Sequence, residues 1–178
     1  TASLFEGIDA VIHLAARVHQ NPKKDSAQAQ RIGNAVVTRH LASLAAQSGV
    51  KRFVFLSTVK AMTAFTPDGI SLTEDMPCVP DDIYGQAKLE AERALLDMSK
   101  VMETVIIRSP LVYGPGMRAN MHGLFRLAAR SLPLPLASIR NKRSLIAVDN
   151  LVSALVTGLE SAQAAGRTYL VRDGQDVS

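Results

Sequence analysis

Tyr84 and Lys88 stand four residues apart in the run Tyr84-Gly85-Gln86-Ala87-Lys88, a spacing that stacks two side chains one turn above the other on a helix. A phenol with an ordinary pKa of about 10 is a poor base at neutral pH, but a fixed cation beside it favours the phenolate. Bringing that pKa to about 7 takes roughly 4 kcal/mol of differential stabilisation, within reach of a partly desolvated ammonium helped by a second positive charge. The pair would then accept a proton from an alcohol being oxidised. Most Tyr and Lys residues at this spacing form a solvated helix face, so the pair alone is a weak motif. A pair of hydroxyls upstream strengthens it. Phe53-Val54-Phe55-Leu56-Ser57-Thr58 reads as a buried strand ending in two alcohols, and in open parallel sheets ligands collect beyond the carboxyl ends of strands.

The elements that must position these groups follow from periodicity. The segment after Tyr84 is rich in Ala, Leu, Glu and Lys, with Leu89, Arg93 and Leu96 at helical intervals, so a helix is predicted from near Asp82 or Tyr84. Thr1 to Gly7 reads as a helix end and its turn, and Asp9 to Ala16 as an apolar strand finishing in small residues that let a ligand approach the backbone. Gln20 to Ser26 is polar and holds Pro22, hence a loop. Ala27 to Gln47 carries Ile32, Val36, Val37, Leu41, Leu44 and Ala45 at helical spacing, and Ser48-Gly49 ends it. A long loop from Val59 to Asp81, punctuated by Pro67, Gly69, Pro77 and Pro80, is expected to border a substrate. Met102 to Arg108 and Ser144 to Val148 read as strands, Ser109 to Gly116 as a turn-rich crossing, and Thr168 to Val171 as a last strand. Helices are expected over Asn120 to Ser131 and, capped by Asp149, over Asn150 to Ser161, with a proline-bracketed segment at Leu132 to Leu136. Strand and helix alternation of this kind means an α/β fold with a parallel sheet.

Composition narrows the function classes. The 178 residues have a hydrophobic content of 47%, ordinary for a globular domain, and a net charge of +4. The basic residues are spread from Arg17 to Arg172 with no Trp, which supports a basic cleft for an anionic small molecule better than a nucleic-acid surface. No apolar run is long enough to cross a bilayer. Cys78 is the single cysteine, so no internal disulfide forms, in keeping with a reducing, cytoplasmic setting. His40, His122 and Cys78 lack metal-ligand spacing, so no metal is expected. His13, on an apolar strand, reads as a core residue rather than a base. A dinucleotide site of this architecture starts with a strand and a glycine-rich turn. The sequence contains no G-x-x-G-x-x-G, and it begins near what would be the fourth strand.

Taken in order, Val11 to Ala16, Asn34, Phe53 to Thr58, Tyr84 to Lys88 with Leu89-Glu90, Arg108 to Gly116, and Arg143 to Leu151 resemble the extended short-chain dehydrogenase/reductase family. Within it they resemble the NAD-dependent nucleotide-sugar epimerases and dehydratases, and most the UDP-hexose and UDP-N-acetylhexosamine 4-epimerases. The resemblance implies a partial Rossmann-like, doubly wound parallel sheet with the start of a smaller substrate-binding part. Residues 1–116 would be the C-terminal portion of the NAD-binding domain, 117–143 a substrate-binding segment, and 144–178 a return to the sheet. Tyr84 would be the acid/base and Lys88 would hold the nicotinamide ribose and depress the phenol's pKa. The catalytic hydroxyl falls on Thr58, with Ser57 beside the nicotinamide. Leu14, Ala15 and Ala16 would line the dinucleotide, Asn34 would support it from the adjacent helix, and Ser109 and Pro110 would flank the nicotinamide. Asn120 and Arg143 would grip a nucleotide-sugar diphosphate, and two copies would pair through the long helices.

Several of these residues also have a plain structural reading: Asn34 as a local backbone partner, Asn120 as a helix cap, Arg143 as a surface charge, Thr58 as strand-end packing. The chain departs from the family pattern in having Thr at 58 for the commoner Ser, Val37 where Gly is frequent, Leu111 for a frequent Asn and Ala147 for His or Tyr. The implied activity is NAD-dependent epimerisation through a transient ketone. The alternatives are an NAD(P)-dependent reductase, a dehydratase, which Val59 and Lys60 after Thr58 argue against, and a non-catalytic fragment or binding module.

Overall fold

Strands β1 (Ala10–His13), β2 (Arg52–Thr58), β3 (Glu103–Ser109) and β6 (Arg167–Leu170) form one parallel sheet, in the order β1-β2-β3-β6. The computed structural model describes residues 2–18, 26–67, 69–117, 123 and 142–176. A second, two-stranded parallel sheet pairs β4 (Leu111–Tyr113) with β5 (Leu145–Ala147), so part of the expected turn-rich crossing after Ser109 is strand. The helix expected over 120–131, residue 123 apart, and the segment 132–136 lie outside the described residues, as does most of the 117–143 segment.

The two central strands explain why helices cover both faces. Successive side chains of a strand point to opposite sides, and in β2 both sets are apolar. Phe53 and Phe55 pack with Ile106 of β3 against Ala42, Ala45, Ala91 and Leu95. Val54 packs with Val105 and Ile107 against Leu151 and Leu155 on the other face. The first group of partners comes from α2 (Val37–Gln47) and α3 (Ile83–Leu96), the second from α4 (Val148–Glu160). A parallel sheet buried on both faces in this way is the doubly wound α/β arrangement.

Several boundaries differ from expectation for identifiable reasons. The long second element is not one α-helix: α1 (Ala27–Arg31) passes through a π-helical turn, Ile32–Val36, into α2. Asp149 does not cap α4. That helix begins at Val148 after Ala147, which makes no side-chain cap bond, and Asp149 sits in the first turn, where its charge suits the helix dipole. β1 ends at His13, so Leu14 to Ala16 form the loop beyond the strand rather than its end. The far end of α4 is closed from the sheet. Buried Arg52 donates to the carbonyls of Leu159 at 2.7 Å and Ser161 at 2.8 Å, and its other nitrogens hold Glu103 at 2.6 and 2.8 Å.

Helix α3 is set by its first turn. Asp82, in extended conformation, accepts from the Gly85 amide at 2.7 Å, the N-cap bond. Its other carboxylate oxygen meets the Lys60 ammonium at 2.6 Å. Between these contacts the helix lies against the backbone that leaves β2. A Cβ on Gly85 would stand 2.2 Å from the Lys60 carbonyl oxygen and 2.9 Å from its carbon. Only glycine allows that approach.

Gly85→Ala therefore should cost about 3 kcal/mol, because the obstacle is backbone that cannot rotate away. Gly158→Ala meets only side-chain ends, Ile107 Cδ1 and Val105 Cγ1 at 3.3 Å. It gains up to about 1 kcal/mol of helix propensity and should leave stability nearly unchanged. Urea unfolding midpoints of the two variants check the contrast.

Candidate active site

Beyond the carboxyl ends of β1, β2 and β3 lies a cavity of about 970 Å³. Thr58, the last residue of β2, and Tyr84, in the first turn of α3, both line it. They meet there because Gly85 brings α3 against the Lys60 backbone two residues after Thr58. The Thr58 hydroxyl oxygen accepts from the Lys60 amide at 3.3 Å, which fixes its rotamer toward the following turn. Leu14 and Ala16 line the β1 side, while Ala15 does not. Ser109 and Pro110 close the β3 side, and Arg143 lies on the rim with Lys142 and Ser144. Asn120 lies outside the described residues. The loop after Val59 contributes Thr63 to Thr66 and Leu72, so it does border the cavity.

Lys88 is placed differently from the expectation that it shares one void with Tyr84. Its side chain is 1% exposed and does not line the cavity. The ammonium donates to the carbonyl of Leu56 at 2.6 Å and sits 3.8 Å from the centre of the Phe55 ring. Leu56 itself lines the cavity, so Lys88 lies beneath the floor. Burial pushes its pKa down to about 7, with Glu92 opposing. Tyr84 also departs from the expected direction. Burial, and after it the Asp82 carboxylate, push the phenol above its ordinary value. The cation that was to lower it is spent on a carbonyl and a ring, so the protein by itself favours the neutral phenol.

Asn34 acts from behind the wall. It is 1% exposed and sits in the π-helical turn, with its side chain bonded to the loop after β1. Its Oδ1 accepts from the Arg17 amide at 2.7 Å, and its Nδ2 donates to the Arg17 carbonyl at 3.1 Å and to Gln30 Oε1 at 2.9 Å. This clamps the loop that carries Leu14 and Ala16. The chain of bonds continues inward. Thr38 donates its hydroxyl proton to the Asn34 carbonyl at 2.7 Å, so His13 Nε2, 2.9 Å from the same hydroxyl, must be the donor. His13 is buried and lies against Phe53 and Phe55, and burial, then Lys88, lower its pKa. It is a neutral strut.

Ser57 borders the cavity, but its hydroxyl is turned toward α3. The hydroxyl donates to Glu92, and Glu92 is paired with Arg108 at 2.7 Å, both nearly inaccessible to water. Ser109 in turn donates to the Ser57 carbonyl at 3.4 Å. The Glu92 and Arg108 pair has no place in the motif reading, yet two signals were available. Glu92 is one turn beyond Lys88 on the same helix face, and Arg108 directly follows the apolar run Val105 to Ile107 of β3, where a buried cation needs a counter-charge.

Replacing Asn34 by Ala should release the β1 loop with little change in global stability. The Arg17 amide should lose about tenfold or more of its hydrogen-exchange protection, the local equivalent of one or two buried hydrogen bonds.

A family model described as the NAD dependent epimerase/dehydratase family matches residues 1–171. A UDP-glucose 4-epimerase of Vibrio cholerae is 43% identical over 173 residues, 94% of this chain and 53% of the relative. An N-acetyl-alpha-D-glucosaminyl-diphospho-ditrans,octacis-undecaprenol 4-epimerase of Escherichia coli O157:H7 is 26% identical over 178 residues, 97% of this chain and 52% of the relative. The chain thus spans about half the length of these relatives. Among solved structures, MoeE5 in complex with UDP-glucose and NAD matches with a TM-score of 0.84 at 26% identity, over 99% of this chain and 60% of MoeE5. The parallel sheet, the cavity at its carboxyl edge and these matches converge: the chain belongs to the NAD dependent epimerase/dehydratase family.

Proposed function

We propose that this chain is the catalytic portion of a nucleotide-sugar 4-epimerase acting on a UDP-hexose or UDP-N-acetylhexosamine. The observation that carries the reading is that Thr58 and Tyr84 wall one cavity with Lys88 fixed directly beneath it. The names of the Vibrio cholerae and Escherichia coli relatives favour epimerisation at C4 over the other chemistries of the family.

The residues present fit the nicotinamide end of NAD. The cavity opens beyond the carboxyl ends of parallel strands, where such groups bind. Its β1 side is edged by a small residue, Ala16, and its floor at Leu56 is held from beneath by the Lys88 ammonium. Leu14, Ala15 and Ala16 would line the dinucleotide, Asn34 would hold their loop in place, and Ser57, Ser109 and Pro110 would flank the nicotinamide. NAD supplies, when bound, acceptance and return of a hydride. The protein supplies the rest.

Tyr84 takes the proton from the sugar hydroxyl as the carbon is oxidised, and gives it back on reduction. Thr58 donates a hydrogen bond to the same oxygen. The phenol starts neutral and above its ordinary pKa, so it becomes a base only when positive charge enters the cavity beside it. That makes proton abstraction conditional on a loaded site. The ketone then turns within the cavity and is reduced on its other face, which inverts the carbon. Arg143, which lines the cavity, would meet the diphosphate by charge-assisted hydrogen bonds, and Asn120 would share that role.

The complete protein is proposed to pair two copies through the helical segment that runs from α1 through the π-helical turn to α2, and through α3; Ile32 and Val36 of the π-helical turn and Ile83 of α3 are exposed. A cytoplasmic setting suits the single, free Cys78. No described helix is long and apolar enough to cross a membrane.

Tyr84→Phe in the complete natural protein, supplied with NAD and UDP-sugar, should lower kcat by 10²-fold or more, the usual contribution of a general acid/base. The circular dichroism spectrum and NAD affinity should stay close to wild type. A variant that keeps most of its turnover would reject the role. Net consumption of reduced cofactor by the wild type would replace epimerase with reductase.

A further inference from the structure

We propose that Asp173 is a positioning residue of the site: its carboxylate and its amide together fasten the strand pair β4 and β5, and so hold in place the rim segment, residues 142–144, that carries Arg143. The proposal rests on the diphosphate role given to Arg143 above and deepens it, by adding the chain beyond β6 to the elements that shape the cavity.

The strand pair needs such support. β4 and β5 contribute three residues each and form a two-stranded sheet of their own, and an isolated sheet of that size is marginal in water. Yet both strands adjoin the cavity. Leu111 and Val112 of β4 line it, and so do Lys142, Arg143 and Ser144, which lead directly into β5. A rim free to shift would misplace the Arg143 guanidinium, and a binding group must be held to about 0.5 Å of its working position.

Asp173 meets the pair at both ends of β5. Its backbone amide donates to the carbonyl of Leu145, the first residue of that strand, at 2.8 Å. Its Oδ2 accepts from the amide of Ala147, the last residue, at 3.1 Å, and from the Tyr113 hydroxyl at 2.8 Å. Tyr113 and Ala147 are register partners, so one carboxylate oxygen closes the final rung from both strands. Its Oδ1 accepts from Asn150 Nδ2, in the first turn of α4, at 2.7 Å. A carboxylate suits this place because it only accepts, and all three groups that face it donate. Three residues on, Asp176 accepts from the Ser144 hydroxyl at 2.6 Å and is paired with Arg172 at 3.2 Å. Residues 173 and 176 thus hold Ser144, Leu145 and Ala147, and Arg143 is the residue just before the first of these.

The same contacts would serve a purely structural role, and a double-mutant cycle separates the two. The complete protein with NAD bound is titrated with UDP by calorimetry, as wild type, Asp173→Ala, Arg143→Ala and the double variant. Arg143→Ala should weaken UDP binding by about tenfold or more, the loss of a hydrogen bond to a charged group, and Asp173→Ala by about fivefold through misplacement of the same guanidinium. The double variant should bind no more weakly than Arg143→Ala alone, because a residue that acts through Arg143 has nothing left to position. In turnover, Asp173→Ala should raise KM for the nucleotide sugar more than it lowers kcat. Should Asp173→Ala lose its cooperative melt, Tyr113→Phe removes one donor from the same carboxylate and replaces it in the cycle, with a smaller weakening that again vanishes on the Arg143→Ala background. Wild-type UDP affinity in the variant used overturns the proposal, as does a weakening that persists in full on the Arg143→Ala background; either result beside normal epimerase turnover leaves the proposed function standing. The expected cycle in a protein that turns over no nucleotide sugar would reject the proposed function and leave the role of Asp173 standing.

Discussion

Helix α3 carries an ammonium and a carboxylate into a layer otherwise built of hydrocarbon, and the free-energy cost of burying those charges constrains everything around them. An unpaired buried charge costs several kcal/mol even after the protein relaxes. Glu92 is held by Arg108 and Ser57, and Lys88 by the Leu56 carbonyl and the Phe55 ring. Each partner belongs to β2 or β3, so the helix cannot slide or rotate on the sheet without breaking several charged contacts at once. Such polar fixation sets orientation more sharply than the apolar contacts of Ala91 and Leu95 beside it, which are non-directional.

With α3 so fixed, the cavity is a consequence of where the strands stop. Thr58 ends β2, and the chain must then turn away because α3 occupies the space behind Lys60. The Gly85 contact and the Lys60 to Asp82 ion pair hold the first turn of α3 close to that bend. Tyr84 therefore arrives at the rim beside Thr58. On the other side, Asn34 and its π-helical turn hold the loop that follows β1. The walls are thus supported from behind by buried polar contacts, which gives a rigid site built largely on loops.

Much of this was legible in the order of residue types. The parallel α/β sheet followed from apolar strands alternating with amphipathic helices, the doubly wound form from the family resemblance, and the start of α3 near Asp82 from its helical period. A ligand site was expected at the strand end that carries Thr58, and the resemblance implied Tyr84, Ser109 and Pro110 there; all four line one cavity. The expected form of the Tyr84 and Lys88 pair was not found. Spacing states that two side chains share a helix face, but not which of them points into solvent and which into the sheet. Here the face is split: Tyr84 is at the edge of the sheet and Lys88 over its interior.

The residue order by itself determined the fold class, the strand that ends in hydroxyls and the helix that carries phenol, ammonium and carboxylate, because these depend on local periodicity and on side-chain chemistry. Only the tertiary structure decided the protonation tendencies of Tyr84 and Lys88, the turning of Ser57 toward Glu92, and the pairing of Glu92 with Arg108. Those depend on how far each group is removed from water and on which strand lies beside which, and desolvation and strand register are properties of the assembled sheet.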